Sequence, residues 1–201
     1  QEQKPGASGR VFVDSFPIME KPLAVRAGLG WIAKNTTLIM KTKGSYFFLG
    51  GILLNIQLPP DEPFTQEFCG ECSRCQQACP TGAITGPFRL DSRRCISYLT
   101  IEHTGVIDEA ISEKTGNHIF GCDICQAVCP WNQRFAKSAS EPDYSSRFSE
   151  TDLLLNRLAS LTKEEFEAMF EGTPVRRAGY KRFMRNVETA RENMPETDEQ
   201  K

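Results

Sequence analysis

An α+β fold in three consecutive parts is predicted by three features of the sequence. Short β-rich runs alternate with a helix-forming run over residues 1–60. Eight cysteines crowd together between Cys69 and Cys129, inside a middle part spanning 61–137. A capped helical pattern then fills 138–201. The 201 residues are 39% hydrophobic and 25% charged, an ordinary globular composition. No apolar run reaches the 18 or so residues of a membrane span, and no basic-then-apolar leader opens the sequence. A cytoplasmic protein without a membrane partner, and a monomer, is expected.

In the first part, Arg10, Val11, Phe12 and Val13 alternate like a strand that ends at Asp14, followed by Ser15, Phe16 and Pro17. A helix is predicted from near Pro22, a residue favoured in a first turn, to the stop at Gly28-Leu29-Gly30. Residues 36–40 are β-rich, 41–44 form a turn, and 45–58 are expected to continue the same sheet. The stretch 46–56, broken by Gly50, Gly51 and Asn55, reads as a buried strand or hairpin. Pro59, Pro60 and Pro63 mark the boundary to the middle part.

After the cysteines, 138–147 reads as a surface loop. Thr162 and Glu165 form a capping box, with Leu161 and Phe166 as its hydrophobic staple. That helix is predicted to run to about Phe170 and stop at Gly172. A last helix over 175–193 carries Phe183, Val187, Ala190 and Met194 on its apolar stripe, and 194–201 is expected to fray. Its polar side is basic: Arg176, Arg177, Lys181, Arg182, Arg185 and Arg191 stand against Glu188. The net charge of −2 hides this patch, which suits phosphate, although such stripes are also ordinary solvated faces.

The cysteines carry the chemistry. Cys69, Cys72, Cys75 and Cys79-Pro80 spell C-x₂-C-x₂-C-x₃-C-P, the run that wraps bacterial iron–sulfur cubes. Cys122, Cys125 and Cys129-Pro130 form a shorter second copy, and Cys95 is left over. In two-cluster ferredoxins the fourth cysteine of one run serves the other cluster. That rule gives one [4Fe–4S] cluster on Cys69, Cys72, Cys75 and Cys129, and a second on Cys79, Cys95, Cys122 and Cys125. Zinc is the alternative, since C-x-x-C is a common zinc pair, but zinc sites usually draw on two separated pairs. Disulfides suit secreted domains, and cysteines two residues apart are poor partners for each other.

Several segments together resemble the epoxyqueuosine reductases: Val13-Asp14-Ser15, Ala27-Gly28-Leu29-Gly30-Trp31, Lys34-Asn35, Arg94-Cys95-Ile96-Ser97-Tyr98-Leu99-Thr100, Gly121-Cys122-Asp123 and Cys129-Pro130-Trp131-Asn132. The resemblance implies that residues 1–60 are a remnant of an α/β cobalamin-binding domain, followed by the ferredoxin-like part and the helical segment. It also implies a fragment or incomplete member, because that family carries a region before the strand ending at Asp14. The implied activity is reduction of epoxyqueuosine to queuosine at the wobble position of tRNA. Electrons would pass from an external flavodoxin- or ferredoxin-type donor through two clusters to cobalamin. Asp14 matches the family's proton donor; without the resemblance, a strand-end aspartate more commonly caps a turn. Lys34, Asn35, Ser97, Cys122 and Asp123 are the implied cobalamin contacts, with Asp14 beside them. A carboxyl next to a corrin and Phe16 would be partly desolvated and held protonated. The basic stripe would meet tRNA phosphates. Two other readings stay open: an electron-transfer module that binds no corrinoid, and an enzyme resembling cobalamin-dependent reductive dehalogenases.

Overall fold

The computed structural model describes residues 6–194; the frayed tail expected over 195–201 lies outside the described residues. Strands and helices mix, but the strands pair only two at a time. Strand β1 (Gly9–Val13) pairs antiparallel with β4 (Gly50–Leu54), with Gly9 opposite Leu54 and Val13 opposite Gly50. Strand β2 (Trp31–Ile32) pairs with β3 (Leu38–Ile39), and β5 (Ile84–Gly86) with β6 (Arg89–Leu90). The expectation that 45–58 continues the β3 sheet is therefore corrected. Only Gly50–Leu54 is a strand, and it turns back to β1. Nor is that ribbon buried: Ile52 is 60% exposed and Val11 69%. A two-stranded ribbon has two faces, and no other element among the described residues covers it.

Helix α1 (Glu20–Arg26) begins two residues before Pro22. The proline still sits in the first turn, where a missing N–H breaks no intrahelical bond. Four short helices frame the cysteines: α2 (Arg74–Ala78), α3 (Ile96–Ile101), α5 (Ile124–Ala127) and α6 (Pro130–Phe135), with α4 (Glu109–Ser112) as a spacer.

The helical segment has its own core. Helix α7 (Leu155–Ala159), α8 (Lys163–Met169) and α9 (Gly179–Asn193) bury Leu158, Leu161, Phe166, Phe170, Phe183 and Val187 together. The capping box forms as expected: the Thr162 hydroxyl takes the Glu165 N–H, and the Glu165 carboxylate takes the Thr162 N–H at 2.8 Å. Phe166 is fully buried with Phe170, Tyr180 and Phe183 around it, ring centroids 5.0–5.8 Å away. Phe166→Ala should cost about 3–5 kcal/mol, read as a lowered midpoint of denaturant unfolding with little change in slope.

Two details of the last helix differ from expectation. A 3₁₀ turn over Pro174–Arg177 is set off from α9 by Ala178, and α9 opens on Gly179, whose φ of 72° only glycine adopts freely. Met194 ends the helix 38% exposed, past the reach of the stripe that buries Phe183, Val187 and Ala190.

The basic stripe also divides. Arg185 donates to the carbonyls of Leu99 (2.6 Å) and His103 (2.8 Å), and Arg182 to those of Ile101 (2.8 Å) and Glu102 (2.9 Å). These two guanidiniums satisfy the carbonyls that α3 leaves free at its C-terminal end, where cations are favoured. Burial, and then the neighbouring Arg182 charge, pull the Arg185 pKa down. Asn186 completes the junction by donating to Thr100 and Ile119 carbonyls, both at 2.8 Å. The stripe is thus not one phosphate-facing row. Arg182 and Arg185 fasten α9 to α3, while Arg176, Arg177 and Lys181 remain exposed.

Candidate metal centre and the adjoining cavity

Each cysteine run bends around a short helix. Cys69 and Cys72 lead into α2, Cys75 lies in its first turn, and Cys79 leaves it in extended conformation. Cys95 and Cys129 stand at the starts of α3 and α6, the latter with Pro130 as first helical residue. Helices α2 and α5 pack on each other, which brings the runs together. The structure places Cys69, Cys72, Cys75 and Cys129 around one cavity. It places Cys79, Cys95, Cys122 and Cys125 around another. Among the described residues no three Cys, His, Asp or Glu side chains converge closely enough for a single metal ion. Thiols spread around a cavity suit a multi-iron cube better than one tetrahedral zinc.

The thiols are not alike. Burial pushes Cys125 up to about 11, although a hydrogen bond from Asn35 works the other way. Burial also raises Cys75 and Cys122. At Cys79 burial is outweighed by hydrogen bonds from the Ile84 backbone, the Thr81 hydroxyl and further N–H groups, so its pKa falls. The Ala83 N–H lies 3.2 Å from that sulfur. Metal uptake must displace the protons that burial keeps on Cys75, Cys122 and Cys125.

An aromatic wall backs the first cavity. Trp31 is buried between Trp131 (5.0 Å), Phe68 (5.1 Å) and Phe64 (5.8 Å). Lys34 lies on this side: its ammonium donates to the carbonyls of Gly70 and Cys72, the latter at 3.0 Å. Asn35 is buried and lines both cavities. Ser97 and Asp123 line the second.

Asp14 sits just past β1 with φ 37° and lines a third, more open cavity with Lys21, Thr37, Ser45, Phe48 and Gln126. Lys21, Thr37 and Gln126 also line the second thiol cavity, so the two adjoin. The shared wall is held by Asn132, whose amide donates to Ser45 Oγ and the Gln126 carbonyl, both at 2.8 Å. Gly44 permits this, because a Cβ there would lie 2.1 Å from Asn132 Oδ1.

The side chain of Asp14 is 83% exposed, Phe16 packs on Phe12, and the carboxylate accepts from Arg177 at 3.2 Å. Arg177 also pairs with Glu102 at 2.8 Å. No local pattern foretells an ion pair across 163 positions. Ser45, Thr37 and Gln126 were likewise not singled out from sequence; Asn132, beside the Cys129-Pro130 ending, carried the one available signal.

Comparisons with known proteins bear on this arrangement. Residues 68–132 match the 4Fe-4S double cluster binding domain. An epoxyqueuosine reductase of Pseudomonas aeruginosa is 50% identical over 188 residues, covering 94% of this chain and 52% of that protein. This chain is homologous to the epoxyqueuosine reductases. The Escherichia coli epoxyqueuosine reductase is 47% identical over 92% of this chain and 48% of its own length. A solved epoxyqueuosine reductase with a tRNA-Tyr epoxyqueuosine-modified stem loop superposes with a TM-score of 0.86 at 33% identity, over 94% of this chain and 50% of that one. The Bacillus subtilis epoxyqueuosine reductase, solved with its catalytic aspartate loop swung out of the active site, gives 0.81 at 30% identity, over 95% and 50%. The chain spans about half the length of the epoxyqueuosine reductases that it matches.

Proposed function

We propose that this chain is the cluster-carrying and acid-bearing part of an oxidoreductase that converts epoxyqueuosine to queuosine at the wobble position of tRNA. One observation carries the reading: eight thiols fall into two fours, and the second four adjoins a cavity that Asp14 lines. In this reading Cys69, Cys72, Cys75 and Cys129 hold one [4Fe–4S] cluster, and Cys79, Cys95, Cys122 and Cys125 the other. Cys72 is the exposed member of the eight, so a flavodoxin- or ferredoxin-type donor would approach the first set.

Residues 1–60 fit the edge of an α/β cobalamin-binding domain. The open cavity offers apolar surface at Phe47, Phe48 and Leu49 and hydrogen-bonding groups at Lys21, Thr37, Ser45 and Gln126. Ser97, Asp123 and the backbone at Cys122 extend the polar side. An apolar floor with an amide-binding rim suits a corrin. Cobalamin, when bound, supplies a reduced cobalt centre able to act on a carbon–oxygen bond, and the clusters supply electrons singly.

This chain's own part is the proton. Reducing an epoxide to an alkene takes two electrons and two protons and releases the oxygen as water, so an acid must reach that oxygen. Asp14 stands at a strand end, where open α/β sheets present ligands. Leaving Arg177 is a precondition, because a carboxylate engaged by a guanidinium is not free to hand a proton to the substrate. Exposed ion pairs contribute only about 0–1 kcal/mol, so release costs little. A relative caught with its catalytic loop swung out supports such movement. The substrate is supported by the relative solved with modified tRNA, and Arg176, Arg177, Lys181 and Arg191 are the exposed cations of the stripe left for its phosphates.

The test is anaerobic purification with cobalamin. A corrinoid absorption band should stay with the protein through gel filtration, and tRNA bearing epoxyqueuosine should yield queuosine. Protein that holds iron but no corrinoid, and leaves the epoxide intact, would be an electron-transfer module instead.

A further inference from the structure

Asn35 lies in the wall between the two thiol cavities and contributes to the lining of both. It is only 4% exposed. Which end of its amide faces the thiols is fixed by Thr37: the Thr37 N–H (3.3 Å) and hydroxyl (2.8 Å) both donate to Asn35 Oδ1. The oxygen is therefore occupied on the Thr37 side, and the NH₂ group points to Cys125. There Nδ2 donates to the Cys125 carbonyl at 3.4 Å, on the wall of the cavity that Asn35 and Cys125 line together. A buried NH₂ with one modest carbonyl contact has a second hydrogen to give, and the cavity it borders is the one that Cys79, Cys95, Cys122 and Cys125 line.

Resting on the assignment of Cys125 to the second cluster, we infer that Asn35 is a positioning residue whose side-chain N–H, aimed by Thr37, stabilises the reduced form of that cluster relative to the first. Hydrogen bonds to the sulfurs are one of the levers that set cluster potentials. Adding an electron makes the thiolate sulfurs more negative, so a fixed donor favours the reduced state. The second set already receives the Ala83 N–H at Cys79. Asn35 adds a side-chain donor next to Cys125. The effect biases an electron shared by the pair toward the set that adjoins the Asp14 cavity.

The test is a potentiometric EPR titration of cluster-loaded protein. Asn35→Leu keeps the volume, excludes water and removes the donor. One of the two potentials should fall by a factor of about ten in its reduction equilibrium, or about 59 mV for one electron, while the other stays in place. Asn35→Asp, which keeps the acceptor for Thr37, should lower the same potential. Two unmoved potentials in Asn35→Leu overturn the inference, even if Asn35→Asp shifts through its charge alone. Should Asn35→Leu take up less iron, wild-type protein decides. With ¹⁵N in its asparagine side chains, pulsed EPR of the reduced protein should show a nitrogen coupling that Asn35→Asp lacks, and its absence overturns the inference. Wild-type protein that binds no iron and sulfide would instead sink the cluster assignment itself.

Discussion

Asp14→Asn should lower turnover of epoxyqueuosine about 10²- to 10⁴-fold, the usual contribution of a general acid, while iron and corrinoid content stay at wild-type levels. The substitution is isosteric, and the side chain is 83% exposed, so nothing in the fold depends on its charge. It removes the proton and the ion pair with Arg177 together. Arg177→Gln separates the two: it breaks the pair but leaves the acid. Its turnover at saturating tRNA should hold or rise, because Asp14 no longer has to leave a guanidinium, while the loss of a phosphate-facing cation raises the tRNA concentration needed to saturate it. Unchanged turnover in Asp14→Asn would remove the residue from the mechanism.

Cys129→Ala should abolish the cluster of the first set, although Cys129 belongs to the second run by sequence. Iron should fall from about eight to about four per chain. The EPR signal that disappears should be the one lost in Cys69→Ala, and the one that persists should be the one lost in Cys79→Ala and Cys125→Ala. The geometry behind this expectation is the placing of Cys129 at the start of α6, facing the cavity of Cys69, Cys72 and Cys75. If Cys129→Ala and Cys125→Ala extinguish the same signal, ligation is local to each run.

What the sequence made legible was local. Spacing within a run marks a thiol-rich loop, a Thr and a Glu three residues apart mark a capping box, and helical periodicity picks out Phe183, Val187 and Ala190; all depend on neighbours within a turn or two. The mixed strand and helix content was also legible, because Gly and Pro punctuate it. Illegible were the partners of long, charged side chains. Arg182 and Arg185 read as a solvated or phosphate-facing row, yet their partners are backbone carbonyls about 80 positions away, which no pattern of side chains records. Lys34 is the same case, bonded to carbonyls of the first cysteine loop. Strand β4 was misplaced because an apolar run states that a strand wants a neighbour and leaves open which one. Asp14 was placed correctly at a strand end, but its exposure depends on what lies over the β1–β4 ribbon.

The proposed ligation, in which each run lends one thiol to the other cluster, would have a mechanical consequence. A bond network joining Cys69 to Cys129 closes a loop of roughly sixty residues, and in chain-entropy terms a cross-link of that span is worth about 4 kcal/mol. Inorganic cubes would then act as staples between sequence-distant segments, the office that disulfides fill in secreted domains. Oxidative loss of iron from either site would loosen the other, so damage by oxygen should spread through the middle of the chain as a single cooperative event.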